Sequence, residues 1–71
     1  MSERVNVIIL LLFGDQAEVV ADVPPGERAE PERYPASEIA GAVGLPVDRL
    51  AGKRLTADVG DGDRLSGWRL R

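Results

Sequence analysis

A chain of 71 residues is one domain, 1–71, and at this size only about 60% of the unfolded surface is buried on folding. With no cysteine and no histidine, disulfides, thiolate or imidazole metal sites and histidine acid–base chemistry are excluded. The formal charge of −3 works against nucleic-acid binding, which draws much of its affinity from neutralised phosphates.

The charge is uneven. Residues 1–34 carry three basic and seven acidic side chains, and residues 35–71 carry six and five. Stability must come from packing or from association, so a protein partner or self-association is expected. The apolar run Val7 to Phe13 is far short of the roughly 20 residues of a membrane helix. It also lacks the length and cleavage site of a signal peptide. The expectation is a cytoplasmic protein with no membrane contact. Eight arginines against one lysine suggest a GC-rich bacterial genome.

The first hairpin is expected over 4–23. Residues 5–13 (VNVIILLLF) are aliphatic and β-branched, residues 16–23 (QAEVVADV) alternate, and Gly14-Asp15 is a two-residue primed turn. Unbroken alternation from that turn puts Ile8, Leu10 and Leu12 on a core face with Ala17, Val19, Ala21 and Val23. Val7, Ile9, Leu11 and Phe13 then share the opposite face. A strand apolar on both sides is central or covered on its second face.

Residues 24–35 (PPGERAEPERYP) form an acidic, proline-rich loop. Residues 36–51 form the helical segment. A short helix over 36–43 is started by Pro35, stopped by Gly44, and presents Ile39, Ala40 and Val43 to the sheet; a single turn follows over 46–51. The second hairpin occupies 53–71, with strands 53–59 and 64–70 around a two-residue Asp61-Gly62 loop. That register sets Leu55 against Trp68 and assigns Trp68 to the core.

The order strand, strand, helix, strand, strand is that of the β-grasp fold. Gly14 between two strands and Val23-Pro24 at the end of the second are similar to the opening hairpin of ubiquitin. Gly44-Leu45-Pro46-Val47-Asp48 resembles the Gly-Ile-Pro-Pro-Asp that follows its helix. Asp61 to Leu70 looks like its Asp-Gly-x-x-Leu-Ser-x-Tyr-x-Ile, and the ending Arg69-Leu70-Arg71 is similar too. The resemblance to the ubiquitin-like family implies an α+β fold: a ββαββ chain forming a small mixed four-stranded sheet in the order 2-1-4-3. One helix lies across it, and the last strand runs parallel beside the first. Modifiers and sulfur carriers of that family act through a terminal Gly-Gly, absent here, so that chemistry requires a chain continuing beyond Arg71.

Two other resemblances are local. Ser37 to Leu50 is similar to a helix-turn-helix core, though Gly52 cuts its second helix short. Tyr34-Pro35 through Asp58 is similar to the swapped-hairpin regulators, which are DNA-binding dimers. Either would need Arg49, Lys53 and Arg54 to gather on one face.

No constellation for catalysis is evident. Ser2, Ser37, Ser66, Thr56 and Tyr34 have no histidine to activate them. Asp58, Asp61 and Asp63 lack the late bidentate Glu of a calcium loop, and the Asp-Gly segment suits a turn. Catalytic, cofactor and metal residues are therefore none, and no enzyme is expected. The expected function is a non-enzymatic protein-interaction module. Its surface would be the stripe Val7, Ile9, Leu11 and Phe13, extended by Leu65, unless loop 24–35 folds over it. The alternatives are a small dimeric DNA-binding regulator, or a carrier or modifier with a longer chain.

Overall fold

The computed structural model describes residues 3–71. It holds five strands: β1 (Glu3–Phe13), β2 (Gln16–Ala21), β3 (Glu32–Pro35), β4 (Arg54–Val59) and β5 (Leu65–Leu70). The helix α1 (Ala36–Val43) lies between β3 and β4, and short 3-10 turns occupy Pro25–Glu27, Val47–Arg49 and Asp61–Asp63. The strands form one sheet in the order β3-β2-β1-β4-β5, antiparallel at every pairing.

This overturns the four-stranded ββαββ β-grasp sheet. Among the described residues no strand pairs parallel to β1. β4 occupies that place and runs antiparallel, from Glu3↔Val59 to Ile8↔Arg54, while β5 lies at the far edge. The reason is the length of β1. Eleven residues are enough for its first half to pair with β4 and its second half with β2. The fifth strand comes from the end of the proline-rich segment. An edge strand tolerates proline because one row of its donors is unpaired anyway, and β3 is such an edge, with Pro35 opposite Gln16.

The first hairpin begins as expected, with Phe13 opposite Gln16 across Gly14-Asp15. Gly14 has φ +61° and Asp15 has no positive φ, the sign pattern of a type II′ turn. The register then slips. Leu11 faces Glu18 but Ile9 faces Val19, so Leu10 is an extra residue in a β-bulge. One extra residue inverts the side-chain alternation beyond it. Val7 and Ile9 therefore enter the core, with 2% and 0% of their surface exposed. Ile8 and Leu10 do not join the core cluster, which corrects the face assignment for the first half of β1.

The second hairpin departs from its expected register twice. Its loop has three residues, Asp61 to Asp63, because Gly60 N–H donates to Arg64 O at 2.8 Å. A second slip falls at Gly67, which has φ +61°, between Thr56↔Arg69 and Asp58↔Ser66. Two slips of one residue restore the original face, so Leu55 pairs with Leu70 rather than Trp68, yet Trp68 is still buried in the core.

Helix α1 starts after Pro35 and ends at Gly44 in the left-handed conformation, φ +73°, whose N–H reaches Ala40 O at 2.9 Å. Its buried residues are Ala36, Ile39 and Ala40. They join Val7, Ile9, Val19, Leu50, Leu55, Ala57 and Trp68 in one core. After Gly44 comes only the single turn Val47–Arg49, so the helix-turn-helix reading has no recognition helix.

The sheet curls around this core as a half-barrel, and Tyr34 links its two edges. Its ring, on β3, meets the Trp68 ring of β5 edge-on, with centroids 5.1 Å apart. Its hydroxyl accepts the Leu65 N–H at 3.1 Å and donates to Glu32 Oε2 at 2.6 Å. Burial first, then the Glu32 bond, raises its pKa above the ordinary value near 10.

Candidate functional site

The stripe expected on one face is divided by the bulge at Leu10. Val7 and Ile9 are interior and present no surface to a partner. Leu11 and Phe13 stand on the outer, convex face, 43% and 59% exposed, with Leu10 beside them at 37%. Leu65 is half-buried on the concave side. The segment 24–35 reaches Phe13 through Arg33 but leaves Leu11 and Phe13 exposed; its end forms β3 beside β2.

The exposed apolar end of β1 has a defined surround. Pairing with β4 stops at Ile8, followed by Ile9 N–H to Lys53 O at 3.0 Å and Gly52 N–H to Ile9 O at 2.7 Å. Among the described residues, no strand pairs with 10–13 on the side away from β2. Arg33 of β3 lies 4.6 Å above the Phe13 ring and pairs with Glu18 at 3.2 Å. The patch is therefore three large apolar side chains in near sequence, flanked by one ion pair.

A second feature lies on the concave side, where the curled sheet remains open. A cavity of about 230 Å³ has a floor of Val5, Val7, Val19 and Leu65. Val20, Ala21, Ala29, Glu30, Glu32 and Asp63 complete its wall, and no residue of α1 lines it. Arg64 sits at the same mouth, 4.2 Å from the Tyr34 ring centroid and 3.9 Å from Glu32. The pattern of alternation could have located this floor only with the bulge known in advance.

The remaining candidates do not assemble. Ser2 lies outside the described residues. Ser37 is on α1, Ser66 and Thr56 are on the outer sheet face, and Tyr34 is committed to Glu32 and Leu65. Among the described residues, no group of three or more His, Cys, Asp or Glu could hold a metal ion. Asp58 is engaged by Arg4, whose guanidinium contacts Asp58 Oδ1 at 2.6 Å, Thr56 Oγ1 at 3.0 Å and Gly67 O at 2.9 Å. Arg54 and Arg69 are exposed on β4 and β5. Arg71 reaches across the outer face to Asp22 at 2.6 Å and donates to Val7 O at 3.3 Å.

A scan against protein-family models found no match, nor did searches of the curated proteins and of the solved structures. No helix of the described chain is long and apolar enough to cross a membrane.

Proposed function

We propose that the protein is a non-catalytic protein-interaction module that meets its partner through the second half of β1. The observation that carries this reading is the run Leu10, Leu11 and Phe13, exposed together beside a stretch of β1 with a neighbour on one side only. Apolar side chains exposed singly are ordinary; a contiguous group next to a strand edge is the kind of surface another chain covers. Arg33 over Phe13 adds an arginine and an aromatic, the residue types enriched where binding energy concentrates.

The test is sedimentation velocity over a wide concentration range, on the wild type and on a Leu11→Glu, Phe13→Glu double variant. Self-association that the double variant abolishes supports the reading. For a different partner, a photo-crosslinking residue at Phe13 should give a discrete product that the same residue at exposed Gly41 on α1 does not. A monomer at every concentration, with identical crosslinking from both positions, refutes the proposal.

A DNA-binding role has less support. Five-stranded, partly open barrels include the OB group, whose members hold oligonucleotides through strands 2 and 3 and the loops between strands 1–2 and 4–5. Here those loops are the pair Gly14-Asp15 and the acidic Asp61–Asp63. Arg4 and Arg71 are already neutralised by Asp58 and Asp22. Fold alone decides no function, and a low-salt duplex titration tests this role.

A further inference from the structure

We propose that the acid-rimmed cavity at the open end of the half-barrel seats one lysine or arginine side chain presented by a protein partner. The cavity is apolar below and anionic above. Val5, Val7, Val19 and Leu65 offer an aliphatic floor, and Glu30, Glu32 and Asp63 stand at the wall. Long basic side chains have the matching construction, an alkyl stem under a charged head.

Charge complementarity decides the sign of the occupant. Three carboxylates face one guanidinium, Arg64, and Arg64 is engaged with Glu32. Glu32 also accepts the Tyr34 hydroxyl. Glu30 and Asp63 have no ion pair among the described residues and can receive a cation. Size decides the source. Sites for free small molecules usually span about 300–1,000 Å³ and enclose most of the ligand. A half-open cavity of about 230 Å³ suits an anchor side chain whose backbone is held by contacts elsewhere. The site is on the concave side, apart from the outer patch at Leu10–Phe13, and its fate is independent of that patch.

The test is an amide-resolved NMR titration of the whole protein with acetyl-Gly-Gly-Lys-Gly-Gly-amide, its arginine counterpart and its norleucine counterpart, alongside n-butylammonium. Saturable shifts are expected at Val5, Val7, Val19, Glu30 and Leu65 with a basic peptide. Losing charge-assisted bonds should weaken binding about tenfold for the norleucine peptide, and likewise for the basic peptides with a Glu30→Gln, Asp63→Asn variant. Both substitutions are at exposed positions, and retained dispersion of the spectrum checks the fold.

Four results each overturn the proposal. Norleucine binding as well as lysine makes the site merely apolar. n-Butylammonium binding as tightly as the peptides makes it a site for a free amine. Dilution moving the same resonances without peptide assigns the cavity to a second copy of this chain. No saturable shift up to about 10 mM leaves no seat at all.

Discussion

Single residues fix the shape of the curled sheet. Tyr34 joins its edges, and Tyr34→Phe would leave the Leu65 N–H without its acceptor. We expect a loss of about 1–2 kcal/mol, measured by urea unfolding. Because Tyr34 is the sole tyrosine, its phenolate absorbance reports it directly. The native midpoint should lie above 10, fall toward that value in urea, and drop in part in Glu32→Gln. A pKa raised on folding means that the native state holds its proton more tightly. This contribution is therefore full below about pH 10 and is lost as the pH climbs through the native midpoint. Gly67 is the other such residue. A Cβ there would meet the Asp58 carboxylate at 2.5 Å, and Arg4 holds that carboxylate in place. With φ at +61°, Gly67→Ala should cost about 1–2 kcal/mol. Gly41→Ala, mid-helix with nothing within 4 Å, should instead stabilise by about 0.5–1 kcal/mol, and unfolding curves of the two variants give opposite signs.

At the scale of elements, β1 decides most of the architecture, and its bulge decides β1. Removing Leu10 would restore strict alternation, with Val7, Ile9 and Leu12 inward and Ile8, Leu11 and Phe13 outward. Deleting Leu10 should therefore leave a folded protein, destabilised through lost bend and twist. Amide dispersion in its NMR spectrum checks this, and a collapsed spectrum would show that the bulge is required for the two halves of β1 to reach both neighbours. The bulge also explains why the strand reads as apolar on both sides. Core positions of both parities are needed on either side of Leu10, and the exposed remainder is the patch proposed for a partner.

For the whole molecule, size sets the margin. A 71-residue domain has roughly 4–10 kcal/mol of stability in total. Leu50 lies on the connection from α1 to β4 and is fully buried. Leu50→Ala should cost about 2–5 kcal/mol, a large share of that margin, and should lower the melting temperature steeply in calorimetry. Its role is global because this connection carries the chain from edge strand β3 to β4, beside the middle of the sheet. The same curl that brings Tyr34 to Leu65 leaves the acid-rimmed cavity open beside that contact.

Local chemistry made part of this legible. Gly14-Asp15 specified the first turn, Pro35 and Gly44 bounded the helix, and Trp68 was readable as core because these signals act within a few residues. Strand partners were not, since pairing is a long-range competition for the edges of β1. The resemblance to the ubiquitin-like family supplied a parallel partner that the antiparallel β4 displaced. Of the candidate surface, Leu11 and Phe13 were placed outward by counting back from the turn, and Val7 and Ile9 were misplaced by the same count. A bulge leaves no mark in an all-aliphatic run, where every register looks apolar. The sequence by itself thus determined the local turns, the helix and which residue types were available for function. Only the tertiary structure decided which side of the sheet each side chain meets, because facing depends on the summed register of two hairpins and their bulges.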